Sequence, residues 1–288
     1  MSTDKVVSSW SLHRTLGRFT AGDLRATRGA SGERPADRFV ARIEPSAAAD
    51  GALELLALPA ELRRRGFDGV QLVHFHLPSR APEYLAALRT ALEENDVRLD
   101  TFLVDDGDLT HPSDPEANED WISEWLTDAE ALGATRARVI AGRSAPSAET
   151  ISQSAAGLRR LAAGHPQLRI VIENWHELTP DARSVNEILD AAGDELGLLV
   201  DLANWTGPTT CDELAAVAGR AETCHAKCHV GDVGFAEEST GVRDYLDALR
   251  AIRGAGFSGS LALVYDGADP DEWSMLDRQH KVTGTVFG

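Results

Sequence analysis

The sequence predicts a single (β/α)8 barrel of the α/β class, and three observations lead to this prediction. The chain has 288 residues, slightly more than the roughly 250 residues typical of such a barrel. Eight short apolar segments have the character of strands, and segments with helical spacing alternate with them. Eight strand–helix units in a chain of this length favour a closed barrel. An open doubly wound sheet is the alternative, but no G-x-G-x-x-G follows the first strand.

The predicted strands are short, nearly continuous apolar runs, as expected for parallel strands that are covered on both faces. In chain order they are KVVSSW, GVQLVHF, VRLDTFLV, RARVIAG, LRIVIE, LGLLVD, ETCHAK and SLALVYD. Side chains alternate between the two faces of a strand. We therefore expect His74 and His76, in VHFH, to point to the same side of the second strand.

The predicted helices end at Gly or Asn, which suit the left-handed conformation that often follows a helix. These helix ends are Gly66, Asn95, Gly133, Gly164, Gly193, Gly219 and Gly256. Segments such as EDWISEWLTDAEALG show the i, i+3, i+4 apolar spacing of a helix packed on one face. An irregular segment at about 17–45 interrupts the pattern in this single domain of residues 1–288. It leaves the first strand at its carboxyl end, which predicts either a lid over the active site or a solvated insertion.

The composition excludes several classes of function. The formal charge is 28 − 46 = −18, so the surface repels phosphate backbones and anionic lipids, and we expect no nucleic-acid or membrane partner. No apolar run approaches the ~20 residues that cross a bilayer. The amino terminus does not resemble a secretory signal, and we expect a cytoplasmic protein, either a monomer or a homo-oligomer. The three cysteines imply no disulfide framework.

Polar residues follow most of the predicted strands. In a barrel of this class the carboxyl ends of the strands form the catalytic face. The polar residues at these ends are His13, His74, His76, Asp105, Asp106, Asp108, Arg143, Glu173, Asn174, His176, Asp201, Asn204, His225, Lys227, His229, Tyr265 and Asp266.

Three of these residues predict a metal site. Glu173 closes the run LRIVI, Asp201 closes GLLV, and His225 lies within the next strand. A lone buried carboxylate is costly unless it is paired or bound to a metal. Carboxylates and an imidazole from three consecutive strands offer the ligands of a divalent metal ion such as Mn²⁺, Mg²⁺, Co²⁺ or Zn²⁺. Buried ion pairs, for instance of Glu173 or Asp201 with Lys227, account for the same residues equally well.

The phrases IENWH, LVDLANW and CHAKCHV resemble the fifth, sixth and seventh strand signatures of xylose isomerase-like TIM barrels, the sugar phosphate isomerase/epimerase superfamily. The segments SSWSLHRTLG, VDDGDL and LALVYDG resemble one bacterial branch of it. The resemblance implies a divalent ion held by a Glu, an Asp, a His and commonly a second Glu from the last strand. The first three correspond to Glu173, Asp201 and His225.

The fourth ligand departs from the family pattern, because Val264 stands before Tyr265 where the family often has Glu. Asp266, His76 or water completes the metal shell, or binding is weaker. The epimerases of the family use two metal-bound glutamates as bases on opposite faces of the substrate, so symmetric epimerisation is disfavoured here. One-base chemistry, which removes a proton α to a carbonyl, remains open and leads to isomerisation or elimination.

The remaining candidates are assigned to substrate and proton transfer. Lys227 is expected to stabilise the developing oxyanion or to donate a proton. The predicted substrate-binding residues are His13, His74, His76, Asp105, Arg143, Asn204 and His229. An acidic turn after the third strand accounts equally well for Asp105 and its neighbours Asp106 and Asp108.

We therefore predict a metal-dependent isomerase or epimerase that acts on a small sugar or keto-sugar. A lyase that performs β-elimination on a 3-keto-glycoside, as some relatives do, is an alternative, and a degenerate barrel that binds sugar without catalysis is another. The superfamily also contains nucleases for abasic DNA. The charge of −18 and the lack of a basic stripe argue against that activity.

Overall fold

A computed structural model describes residues 4–17, 51–229, 235, 239–267 and 269–288. In this part of the chain eight parallel strands form a closed barrel, in which each strand pairs with its sequence neighbours and the last pairs with the first. The predicted (β/α)8 TIM barrel is therefore confirmed. The predicted irregular segment at about 17–45 lies, apart from Gly17, outside the described residues. No described helix is long and apolar enough to cross a membrane.

The strands are β1 Val6–Ser8, β2 Gly69–Val73, β3 Arg98–Leu103, β4 Arg136–Arg138, β5 Arg169–Glu173, β6 Leu196–Asp201, β7 Ala221–Lys227 and β8 Ser260–Val264. The helices are α1 Leu58–Arg64, α2 Pro82–Glu94, α3 Pro115–Ala131, α4 Ala148–Gly164, α5 Ala182–Ala192, α6 Thr210–Ala218, α7 Thr240–Gly254 and α8 Glu272–Phe287. One helix follows each strand, as the alternation in the sequence predicts.

Local sequence signals account for several helix boundaries. Helix α4 begins with a capping box. The Ser147 hydroxyl accepts a hydrogen bond from the backbone N–H of Thr150, and the Thr150 hydroxyl accepts one from the backbone N–H of Ser147. Helix α5 begins after Asp181, whose carboxylate accepts from the N–H of Ser184. Gly193 follows the last residue of α5 and has a φ of 85°, a conformation that residues with a side chain rarely adopt.

The second strand is shorter than predicted. It ends at Val73, and His74–His76 form a single 3-10 turn. The expectation that His74 and His76 share one face of a strand is therefore wrong, because side chains alternate only while the chain stays extended. The ring of His74 lies against Trp121 and Trp125 of α3 at centroid distances of 5.5 and 4.8 Å.

The apolar core has two parts. The larger part joins the outward side chains of the strands, such as Ile170 and Ile172, to the surrounding helices. Alternate residues point inward, and a smaller cluster fills the lumen of the barrel; its members are Val73, Phe75, Leu103, Val171 and Leu199, with Trp10 packed against them. In the lumen this apolar cluster lies beside buried polar side chains, among them Gln71 and Thr223.

Two β-bulges bring acidic residues to the amino ends of the strands. The register of β2 with β3 passes from Leu99 to Thr101, which leaves Asp100 as the extra residue. The register of β6 with β7 passes from Ala221 to Thr223 and likewise leaves Glu222. The partners of these carboxylates are arginines at the starts of neighbouring strands: Arg98 and Arg136 face Asp100, and Arg136 and Arg169 face Glu222.

Candidate active site and metal centre

Three consecutive strands bring together the residues that the sequence predicts as metal ligands. Glu173 is the last residue of β5 and Asp201 the last of β6, and Asp201 lies directly opposite His225 of β7. All three side chains are buried. One ligand atom from each lies within 4.8 Å of the other two. Of the His, Cys, Asp and Glu side chains that the structure describes, only these three form such a group. The completion of the metal shell by Asp266, His76 or water stays a prediction.

The donor set fits a divalent cation. The His225 Nδ1 atom lies 3.3 Å from Glu173 Oε1 and 3.5 Å from Asp201 Oδ2, so all three atoms face a common point. Two carboxylate oxygens and an imidazole nitrogen suit Mg²⁺, Mn²⁺, Co²⁺ or Zn²⁺. Val264 lies opposite Lys227 in the register of β7 and β8 and is buried. Its side chain cannot supply the fourth protein ligand.

The ion pair that the sequence offered as an alternative is also present. Lys227 Nζ lies 3.0 Å from Asp201 Oδ2 and donates to Asn204 Oδ1 at 2.5 Å. Asn204 in turn donates to Glu173 Oε1 at 2.9 Å. Lys227, Asn204, Glu173 and Asp201 therefore form one connected polar group. A carboxylate oxygen has two lone pairs, so Asp201 Oδ2 can serve both Lys227 and a metal ion.

Arg138 is a site residue that the sequence analysis missed. It closes β4, and its side chain is only 2% exposed. It pairs with Asp105 and donates to the backbone oxygen of Val104. Its Nε atom lies 3.0 Å from Glu173 Oε2, a charge contact whose angle is not that of a hydrogen bond. The sequence did contain a signal. An arginine in the middle of the apolar run RARVIAG would be costly to bury in a barrel wall unless it paired with a buried carboxylate.

The charges of the site determine the protonation of its acids and bases. Burial alone would raise the pKa of Glu173, but Arg138 and His225 outweigh it and lower that pKa. Burial opposes ionisation of Asp201 too, and Lys227 and His225 lower its pKa. Burial alone would lower the pKa of Lys227, and the Asp201 carboxylate raises it. At neutral pH the site therefore holds two carboxylates and an ammonium group.

His225 is held between acids and an amide. Burial alone would lower the pKa of its imidazole, and Glu173 and Asp201 raise it above the ordinary value. Its second ring nitrogen, Nε2, lies 2.8 Å from Oε1 of Gln71. Gln71, in the middle of β2, is a second residue that the sequence analysis missed.

The other predicted substrate-binding residues lie at varied distances from this group. Asp105 joins it through Arg138. His229 lies 3.2 Å from the backbone oxygen of Ala203, in the loop that follows Asp201, and is exposed. These two, with Asn204, are the predicted substrate residues that contact the group or its supporting loops.

The remaining histidines are held by other parts of the barrel. His13 Nδ1 lies 2.9 Å from the backbone oxygen of Trp10 and 3.6 Å from Glu272. His76 Nδ1 lies 2.9 Å from the Ser9 hydroxyl. His74 Nδ1 accepts from the backbone N–H of Asp105 and its ring packs under α3. The packing under α3 is structural, and the assignment of His74 to substrate stays a prediction.

The loop after β3 is an acidic turn, the alternative that the sequence analysis left open. Asp106 Oδ1 accepts from the N–H of Gly107 and pairs with Arg143 at 3.0 Å. Asp108 Oδ1 accepts from the N–H and hydroxyl of Thr110 and from the N–H of Arg143. These contacts tie the loop after β3 to the loop after β4 and give Arg143 a structural role.

Gly107 is required in this turn. Its φ is 90°, and an added Cβ would lie 2.7 Å from two side-chain atoms of Ile122. We expect Gly107→Ala to lower the free energy of unfolding by about 1–3 kcal/mol, because the new methyl group meets a packed helix in a backbone conformation that alanine resists. Chemical denaturation measures the loss. Gly254→Ala is the control, since it lies in α7 with open space around it, and an unchanged Gly107→Ala protein would contradict the packing described here.

Known proteins with the same barrel architecture are similar to this chain. A family model for xylose isomerase-like TIM barrels matches residues 59–277. No protein with curated annotation is significantly similar in sequence. Among solved structures, a xylose isomerase-like TIM barrel protein from Mycobacterium smegmatis in complex with magnesium is similar, with 16% identity and a TM-score of 0.64 over 84% of this chain and 93% of that chain.

Two enzymes are similar at lower identity. A 3-keto-D-glucoside 4-epimerase from E. coli has 13% identity and a TM-score of 0.62, over 84% of this chain and 99% of that chain. A probable 3-DHS dehydratase of petrobactin synthesis from Bacillus anthracis has 11% identity and a TM-score of 0.64, over 98% and 99%. Such identities establish the fold and not the reaction. Together with the family match over most of its length, they lead to one conclusion: this chain belongs to the xylose isomerase-like TIM barrel family.

Proposed function

We propose that the protein is a divalent-metal-dependent enzyme that removes a proton α to the carbonyl of a small sugar or keto-sugar. One observation carries this proposal: ligand atoms of Glu173, Asp201 and His225 lie within 4.8 Å of one another at the carboxyl ends of three consecutive strands. The structural similarity to a magnesium complex and to a 3-keto-glucoside epimerase supports it.

Each residue of the site has its own role in the proposed reaction. Glu173, Asp201 and His225 would hold the ion, which when bound supplies a Lewis acid for the oxygen of the enolate. Glu173 takes the α proton, because its low pKa keeps it ionised at neutral pH. Lys227 remains an ammonium group and donates a hydrogen bond to the oxygen that gains negative charge. Asn204 hydrogen-bonds to both Glu173 and Lys227 and so fixes the distance between them.

The single base determines which reactions suit the site. Val264 stands where the family resemblance implies a second basic side chain, on the opposite side of the substrate. A base on one face can return the proton to a neighbouring carbon, which gives isomerisation. It can also leave the enolate to expel a group from the β carbon, which gives elimination. The similarity to a probable dehydratase supports the second outcome as an alternative.

The test of this proposal is proton exchange. We expect the protein with Mn²⁺ in D2O to replace the α hydrogen of at least one member of a panel of ketoses, aldoses and 3-keto-glycosides, observed by ¹H NMR. EDTA should stop the exchange. Release of the aglycone from a 3-keto-glycoside would identify elimination. A protein that binds the ion and a sugar but exchanges no hydrogen from any of them would be a non-catalytic barrel, and the proposal would be wrong.

Metal binding gives a separate prediction. We expect one Mn²⁺ per chain, counted by the EPR signal of the free ion, and a loss of affinity by more than about 100-fold in Asp201→Asn. Changing a residue that only supports a ligand lowers metal affinity by about 10- to 100-fold, and removal of a charged ligand should lower it further. Asp212→Asn is the matched control, because Asp212 is exposed on α6. Equal affinity in the two variants would place the ion elsewhere.

A further inference from the structure

We propose that Gln71 is the positioning residue of His225, and that it determines which imidazole nitrogen faces the metal. This inference rests on the proposed metal-dependent function, although one of its tests needs no metal. Gln71 lies in β2 and contacts none of the three proposed ligand atoms, which are Glu173 Oε1, Asp201 Oδ2 and His225 Nδ1. The observation behind it is a chain of buried hydrogen bonds below His225.

The chain of hydrogen bonds runs across the lumen. His225 Nε2 lies 2.8 Å from Gln71 Oε1. Gln71 Nε2 donates to Asp100 Oδ2 and to the Thr223 hydroxyl, each at 2.9 Å. Gln71 and Thr223 are completely buried, and Asp100 is 4% exposed. These groups are therefore shielded from bulk solvent, and a donor or acceptor left without its partner would cost the desolvation of a polar group.

The chemistry of Asp100 fixes the orientation of the amide. Asp100 pairs with Arg98 and Arg136, and a carboxylate in such a pair only accepts hydrogen bonds. The amide nitrogen of Gln71 therefore faces Asp100, and its oxygen faces His225. The reverse orientation would place two acceptor oxygens 2.9 Å apart in a dry site. Since Gln71 Oε1 only accepts, His225 Nε2 must carry a proton.

The remaining ring nitrogen is then assigned to the metal. His225 Nδ1 faces Glu173 and Asp201. With its proton on Nε2, a neutral imidazole presents the lone pair of Nδ1 to a bound ion. Metal-bound histidines generally donate their second N–H to an acceptor, and loss of that acceptor typically costs 10- to 100-fold in affinity. Here the acceptor is an amide, which the bulge at Asp100 orients.

Two variants test the assignment. Gln71→Leu keeps a side chain of similar size but removes the acceptor, so we expect Mn²⁺ affinity to fall by about 10- to 100-fold. The double variant Gln71→Glu with Asp100→Asn exchanges the two functional groups and conserves their total charge. Its carboxylate accepts from both His225 Nε2 and the new amide, so its affinity should exceed that of Gln71→Leu by at least about 10-fold. Gln279→Leu is the control, a second fully buried glutamine that donates to backbone oxygens of β7 and β8.

A metal-free measurement separates this inference from the proposed function. In ¹⁵N-histidine-labelled protein without metal, the Nε2 proton of His225 should be hydrogen-bonded and slow to exchange in the wild type and the double variant, and fast in Gln71→Leu. Wild-type protein that shows this proton but binds no Mn²⁺ would contradict the metal proposal alone. A Gln71→Leu protein with wild-type affinity, or a double variant as weak as Gln71→Leu, would overturn the role of Gln71.

Discussion

Glu173→Gln should reduce the rate of α-hydrogen exchange by about 10³-fold or more while the fold is retained. A general base contributes about 10²- to 10⁴-fold, and an amide cannot take up the proton. Glutamine has the shape of glutamate, so its oxygen can still accept from Asn204 at the position that Glu173 Oε1 holds now. Exchange of the α hydrogen into D2O, followed by NMR at saturating Mn²⁺, measures the effect on the chemical step.

A neighbouring residue serves as the control for this variant. Glu177 lies four residues further along the same loop and is exposed, so Glu177→Gln should exchange hydrogen at the wild-type rate. Metal affinity must be measured for both proteins, because Glu173 is also a proposed ligand. Near-normal exchange by Glu173→Gln at saturating metal would show that another group removes the proton.

Arg138→Met should lower the free energy of unfolding by about 3–5 kcal/mol, the usual cost of removing one partner of a buried ion pair. Arg138 faces Asp105 and Glu173, and both carboxylates are buried. Without the guanidinium, two negative charges would remain in a site that excludes water. Urea denaturation in the absence of metal measures the loss.

The pH dependence of this loss has a definite sign. Burial already raises the pKa of Asp105, against the pull of Arg138. Removing Arg138 raises the pKa of Asp105 further above its value of about 4 in the unfolded chain. It also removes the largest of the contacts that lower the pKa of Glu173. The folded variant then binds protons that the unfolded chain releases, so the loss of stability should be largest at alkaline pH and shrink as the pH falls.

An ion pair at the surface provides the comparison. Arg160 pairs with Glu119 at 2.6 Å but is 60% exposed. Arg160→Met should therefore change the free energy of unfolding by no more than about 1 kcal/mol. If Arg138→Met were no more costly than this control, the guanidinium would not be balancing buried acids.

The barrel and its three proposed ligands were predictable because the signals are local. A run of apolar residues that ends in an acid, as LRIVIE and LGLLVD do, identifies both a parallel strand and a polar residue at its carboxyl end. The alternation of strands and helices then places those ends on one face. No knowledge of side-chain contacts is needed for either step.

Gln71 and Asp100 could not be assigned in this way, because their roles depend on register. A bulge that displaces Asp100 by one position is not visible in VRLDTFLV, and the contact of Gln71 with His225 joins residues 154 apart in sequence. The expectation that His74 and His76 share one face of a strand was wrong for a related reason: the strand ends at Val73, and no residue in VHFH marks that boundary.

In the residues that the structure describes, paired acids and arginines occupy the amino ends of the strands. Asp100, Gln71 and Thr223 are buried beneath His225, and the arginine pairs of Glu222 lie beyond them. Under the proposed function, an ion and a sugar would reach the site from the carboxyl ends of the strands, where Lys227 and Asn204 lie. A sugar bound there should therefore trap the ion behind it, and Mn²⁺ should escape to a chelator more slowly from the saturated enzyme than from the free one.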